Sequence, residues 1–364
     1  MDLNKHISKN LFQGQAYVKK DYRNQINLGS NELHDADVER MTSKFLNSAD
    51  YSWFHLYPYY PYFREYIAES FNSKKEETLL YPGSDAAIKD LLFVLASNSK
   101  SVIVQHPNYY NYQNYAVTYD YSIQFIPFLF THKNAFVEKV KDALENAPSS
   151  ILVLTNPCGI SGQCLEINEM EKILRWAHEK GHLVIIDEAY VKFGSFDHLG
   201  FLGQFQNLVI VRSFSKFPGL AGARLSVVFA SEDIMWHLEK LNPMNSISRM
   251  TLEYYKFIFE NELFQHISAS IDQRKKIIIE KVSALDNKVK CFDTKTNFLL
   301  FDFFSVENVN AFISIANDLN FAVKNMFGYP GYENYLRLTV PASSAIDRMV
   351  EVFEKYSLLK SELI

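Results

Sequence analysis

The sequence predicts an α/β protein, with a large unit on a mainly parallel sheet and a smaller α+β unit, and three observations carry this. Short apolar runs at 78–81, 101–104, 151–155, 182–187 and 207–211 have the length and β-branched content of strands buried on both faces. Helically spaced segments lie between or before them, among them 63–71, 85–92 and 166–180. Beyond Glu232 the pattern changes: helical stretches to Lys288 give way to short strand-like runs at 289–293, 297–302, 321–324 and 335–339, then a closing helix near 345–356. Open sheets of alternating strands and helices place their ligand sites beyond the C-terminal ends of the strands.

The 364 residues, 48% hydrophobic and 22% charged, suffice for a large core and two units. Aromatic residues reach 15%, which suits a large core, an aromatic site or an oligomer interface. A net charge of -5 without a basic run argues against a nucleic-acid surface. Cys158, Cys164 and Cys291 fit no metal-ligand spacing, so no metal is expected, and a reduced cytoplasmic setting is the simplest reading. No apolar run approaches the ~20 residues that a membrane span needs. Met1 opens a polar segment without a signal-like apolar core, so a soluble intracellular protein is expected. The chain has no internal repeat and no low-complexity linker.

Taken in order, residues 1–47 read as a polar, weakly periodic arm containing a short strand and the pair Asn31-Glu32. Tyr57-Pro58 follows, amid Tyr51, Trp53, Tyr59 and Tyr60. At 78–92 a strand, the turn at Gly83 and a helix start succeed one another, with Ser84 or Asp85 as the expected N-cap. Unpaired N–H groups at such a helix start suit a phosphate. Tyr109 follows the strand 101–104, with Tyr110 and Tyr112 nearby, and Asn156-Pro-Cys-Gly159 follows the strand 151–155. The strand 182–187 ends on Asp187, before Glu188-Ala189-Tyr190, and a carboxylate at the end of a buried strand is costly unless it meets a cation. A Walker-B acid would need a Gly-x-x-x-x-Gly-Lys-Ser/Thr loop, which the chain lacks. Arg337 stands in the apolar strand 335–339, as either a paired structural ion or a carboxylate clamp.

The densest chemistry lies at 211–224. The strand 207–211 runs into Ser213, Ser215 and Lys216, and Pro218, Gly219 and Gly222 forbid an ordinary helix just after it. Ser213, Ser215 and Arg224 form a donor set for a phosphate, the guanidinium able to grip two oxygens. A phosphate beside a desolvated amine suggests a carbonyl cofactor held on Lys216 as a Schiff base.

Ser213-x-Ser215-Lys216, with Arg224 eight residues on, resembles the fold-type I aminotransferases that use pyridoxal phosphate (PLP). Gly219-Leu-Ala-Gly-x-Arg224 is similar to the histidinol-phosphate aminotransferase branch. The resemblance runs from about Ile26 to about Val352 and implies a seven-stranded, mainly parallel sheet. It also implies an arm at 1–47 that joins the small unit, a PLP-binding unit at 48–245 and a small C-terminal unit at 246–364. Lys216, Asp187 and Tyr190 take the catalytic roles, Asp187 beneath the ring nitrogen. Gly83, Ser84, Asp85, Tyr109, Asn156, Ser213, Ser215 and Arg224 bind the cofactor, Asn156 and Tyr190 sharing its phenolic oxygen. Tyr57 reaches the partner's cofactor across a homodimer. Asn31, Tyr17 and Arg337 meet the substrate. Departures from the pattern are Leu33 where a proline is usual, Cys158 for threonine and Pro341 for glycine. The expected activity is amino transfer between an amino acid, with glutamate as donor, and a small keto compound, phosphorylated as in histidinol phosphate. A decarboxylase of a phosphorylated amino acid and a PLP-binding regulatory module remain as alternatives.

Overall fold

The computed structural model describes residues 22, 24–95, 99–129, 133–243, 245–262, 264–285 and 289–362. In chain order the strands are β1 (Ile26–Asn27), β2 (Thr78–Tyr81), β3 (Ser101–His106), β4 (Ser122–Pro127), β5 (Ile151–Thr155), β6 (Leu183–Asp187), β7 (Leu208–Ser213) and β8 (Ser226–Ala230). The C-terminal part adds β9 (Lys290–Phe292), β10 (Phe298–Asp302), β11 (Phe321–Ala322), β12 (Lys324–Asn325) and β13 (Tyr335–Thr339). Seven of them make one sheet in the order β2-β8-β7-β6-β5-β3-β4. Pairing is parallel from β7 to β4 and antiparallel on both sides of β8. The α/β class and the seven strands are thus as expected, with helices covering both faces of strands whose residues are buried throughout at β2, β5, β7 and β8.

Two of those strands carried no clear signal. Only Ile126 of the edge strand β4 is fully buried, so it lacks a continuous apolar run. β8 follows the loop broken by Pro218, Gly219 and Gly222.

Register decides where the chemistry falls. Thr155 lies beside Asp187 and Asp187 beside Val211, so β5, β6 and β7 end side by side. Asn156 N–H donates to the Asp187 carbonyl at 3.0 Å and Glu188 N–H to the Val211 carbonyl at 2.8 Å, extending the ladders past the strand ends. The loops at 156–159, 187–190 and 213–216 therefore leave the sheet as neighbours.

The second sheet, β12-β13-β10-β9, is antiparallel, and β1 pairs with β11 in parallel, Ile26 opposite Phe321. The supposed arm is more ordered than its polarity suggested. Ala36–Asn47 is a helix that Asp35 caps, accepting from Asp37 N–H at 2.8 Å, and only Val38, Met41 and Phe45 of it are buried. That narrow stripe explains the weak periodicity. Phe45 stacks on Tyr254 of the helix Arg249–Glu260 at 4.5 Å between ring centroids. Both helices pack into the main-sheet core.

Arg274, on the helix Ile267–Ser283, ties the N-terminal segment down. It donates to the carbonyls of His34 at 2.7 Å and Pro341 at 2.6 Å and pairs with the buried Asp35. Replacing Arg274 with Ala should cost about 3 kcal/mol by stranding a buried carboxylate, read as a lower urea midpoint.

Candidate active site

Three consecutive residues gather the expected site. The carbonyl of Gly29 accepts from Arg337 Nη2 at 3.0 Å, that of Ser30 from Lys216 Nζ at 2.8 Å, and the Asn31 side-chain amide donates to the Tyr190 hydroxyl at 2.8 Å. Residues separated by more than 300 positions thus meet at the ends of the parallel strands. Arg337 Nη1 also donates to the Gly159 carbonyl at 2.7 Å, and its guanidinium lies over the Phe298 ring.

Asp187, 3% exposed, accepts from Ala189 N–H at 3.0 Å and Tyr112 hydroxyl at 3.2 Å. Burial nevertheless pushes its carboxyl up to about 6, so a cation placed against it would be strongly favoured. Burial also pushes Tyr190 up to about 12, partly offset by Arg337 and by the bond from Asn31, so the phenol keeps its proton. Tyr109 stands at the start of the helix Tyr110–Thr118, its hydroxyl accepting from Asn111 Nδ2 at 3.2 Å, and burial raises its pKa.

A phosphate cup forms around Gly83. The helix N-cap is Gly83 itself, at φ 89°, and not Ser84 or Asp85, which begin the helix Ser84–Val94. Arg224 Nη1 lies 3.4 Å from Ser215 Oγ and Nη2 lies 3.8 Å from Asp85 Oδ2, while Ser215 N–H donates to Ser213 Oγ at 3.2 Å. Hydroxyls, a guanidinium and helix N–H groups converge here, and the donor set fits a phosphate monoester. The cradle is tight: a Cβ on Gly83 would lie 2.4 Å from Arg224 Nη2.

The Asn156 side chain is tied to Leu165 and faces His198. Its Oδ1 accepts from Leu165 N–H at 2.7 Å, and its Nδ2 lies 3.3 Å from both the Leu165 carbonyl and His198 Nε2. The bonds to Leu165 close the loop 156–165. Gly159, three residues on, is what lies against Tyr190 and Arg337. Tyr57 is 83% exposed, amid exposed Tyr51, Phe54, Leu56 and Tyr59. Tyr17 lies outside the described residues.

Other supporting residues gave no sequence signal. Glu188, fully buried, accepts from His198 Nδ1 at 2.6 Å and from Arg212 Nε at 3.0 Å; despite burial, Arg212 and His198 hold its carboxyl below the ordinary range. This pairing anchors the loop that carries Asp187 and Tyr190. Lys324, exposed on β12, pairs in register with Arg337. A cavity of about 210 Å³ adjoins the lysine loop, lined by Ala189, Ser213 and the rings of Phe71, Phe214, Phe217, Phe259 and Phe264.

A parallel-sheet fold with a lysine, a buried acid and a phosphate cup at its strand ends defines an enzyme of the PLP-dependent, fold-type I class. The chain belongs to the family of class I and II aminotransferases, whose model matches residues 23–353. It is similar to the histidinol-phosphate aminotransferase of Flavobacterium johnsoniae, 29% identical over 279 residues, covering 75% of this chain and 77% of that one. Among solved structures it resembles histidinol-phosphate aminotransferase from Sinorhizobium meliloti in complex with pyridoxal-5'-phosphate, with TM-score 0.81, 15% identity and coverage of 96% of this chain and 97% of that one. The L-threonine-O-3-phosphate decarboxylase from Porphyromonas gingivalis is similar too, with TM-score 0.76, 18% identity and coverage of 91% and 99%. The protein is a PLP-dependent aminotransferase of the histidinol-phosphate aminotransferase-like branch. Among the described residues no helix is long and apolar enough to cross a membrane, and no cluster of side chains could hold a metal.

Since Gly83 needs a positive φ and a Cβ there would displace the Arg224 guanidinium from the cup, Gly83→Ala should raise the PLP dissociation constant about tenfold or more, measurable by fluorescence titration.

Proposed function

We propose that this aminotransferase moves an amino group from an amino acid, with glutamate the expected donor, to a small phosphorylated keto compound of the histidinol-phosphate type. The observation that carries the reading is the meeting of Lys216, Tyr190 and Arg337 on residues 29–31. Ser213, Ser215, Arg224 and the helix start at Ser84 and Asp85 would hold the cofactor phosphate, Tyr109 its ring face and Asp187 its ring nitrogen. PLP, when bound, supplies a carbonyl that joins the substrate amine and a ring that accepts the electron pair left at Cα.

The protein's part is binding and proton movement. Lys216 Nζ would take the proton from the substrate Cα and deliver it two atoms along, to the carbon that was the cofactor's carbonyl. Asp187 would keep the ring nitrogen protonated, since a cation offsets the burial of its carboxylate. Arg337 exchanges its two backbone carbonyl partners for the two oxygens of a substrate carboxylate. Lys324, opposite Arg337 on β12, adds a second positive charge at the same mouth. Two cations there suit a dianion, either the dicarboxylate of glutamate or a phosphate monoester.

A homodimer in the cytoplasm is part of this reading. Tyr51, Phe54, Leu56, Tyr57 and Tyr59 are all exposed, a patch that favours a second copy of the chain and would carry Tyr57 to the partner's cofactor. Incubating the PLP-loaded enzyme with glutamate should give pyridoxamine phosphate and 2-oxoglutarate. A panel of phosphorylated keto compounds then ranks the acceptors. Carbon dioxide from a phosphorylated amino acid, with no pyridoxamine phosphate, would replace this reading with the decarboxylase.

A further inference from the structure

We propose that Asn31 is a positioning residue acting through Tyr190: it fixes the Tyr190 hydroxyl as donor to the ring oxygen of the bound cofactor, and the bare backbone of Gly159 makes room for the pair. The inference rests on the reading of the site given under Proposed function. Asn31 is 1% exposed and sits at φ 53°. Its N–H donates to Thr339 Oγ1 at 3.0 Å, and its carbonyl accepts from Asn297 Nδ2 at 3.1 Å. The backbone is therefore held on both sides, and the side-chain amide has one orientation toward Tyr190, 2.8 Å away.

An amide N–H can only donate, so the phenolic oxygen accepts from Asn31 and the single Tyr190 proton is directed to another acceptor. Beneath this pair, a Cβ on Gly159 would lie 2.6 Å from Tyr190 Cε2, so any side chain at 159 pushes the ring aside. The Gly159 carbonyl lies 3.5 Å from the same Asn31 amide and is held by Arg337. Asn156, by contrast, has no contact with Tyr190: its amide meets Leu165 and His198. Tyr190 backed by Asn31 is then the donor to the ring oxygen.

The absorbance of the lysine-bound cofactor, followed against pH, tests this. A donor on the ring oxygen weakens its hold on the proton shared with the lysine nitrogen, so the proton leaves at lower pH. Asn31→Gly keeps the left-handed backbone and both backbone hydrogen bonds while deleting the amide. Its absorbance transition should rise by about one pH unit, the size of one hydrogen bond to a charged oxygen. Tyr190→Phe should shift the same way, the double variant no further than Tyr190→Phe alone, and Gly159→Ala also upward. Arg337, Asp187 and Cys158 are the other titratable groups facing Tyr190, and all three remain in these variants. A wild-type transition in Asn31→Gly or Gly159→Ala, or additive shifts in the double variant, would overturn the inference. Failure of the wild-type protein to give this absorbance with PLP would overturn the reading of the site instead.

Discussion

Replacing Lys216 with Ala lowers transamination on the order of 10⁴-fold or more, because one nitrogen both anchors the cofactor and carries the Cα proton. Its amine is held by the Ser30 carbonyl at 2.8 Å, where the N-terminal segment meets the strand ends. The fold should survive, since the strand before it is fixed by β6 and β8 and the loop after it by the Leu220 N–H bond to the Phe214 carbonyl. Single-turnover kinetics with glutamate, beside an unchanged circular dichroism spectrum, checks the prediction. Residual activity within tenfold of wild type would remove the lysine from the mechanism.

Asp187→Asn lowers the rate by about 10² to 10³-fold, the scale of one lost charge on a group that must stay protonated in a buried site. The same substitution should stabilise the cofactor-free protein above about pH 6. Folding raises this carboxyl from 3.8 to about 6, so ionising it inside the fold costs stability as pH rises through that window. The cost reaches at most about 3 kcal/mol and is absent below about pH 4, where folded and unfolded chains both carry the proton. Asparagine escapes it. Activity and apo-protein stability should therefore move in opposite directions, checked by kcat and by thermal melts at two pH values. Loss of both together would mean that Asp187 serves the fold alone.

What the sequence made legible followed from how strongly each feature was imposed by burial. The strands β3, β5, β6 and β7 hold apolar runs that revealed them before any coordinates; β5 and β6 end where their runs end, whereas β3 and β7 continue past Val104 and Val211 into the polar Gln105-His106 and Arg212-Ser213. The edge strand β4 and the helix Ala36–Asn47 each bury few side chains, so their patterns looked polar. Asn156 shows a different limit. Asn-Pro-Cys-Gly has the composition of a cofactor loop, but side-chain direction depends on where the loop returns, and here Leu165 comes back to claim both ends of the amide. Gly159 could not have been singled out, because its importance is the ring that lies upon it. Likewise the pairing of Lys324 with Arg337 is a matter of strand register, which residue spacing does not contain.

Reduction of the PLP-loaded protein with borohydride, followed by peptide mass spectrometry, asks most directly whether the amine at the end of β7 holds the cofactor. The account predicts a single phosphopyridoxyl adduct on the peptide containing Lys216. An adduct on any other lysine, or none, would contradict it.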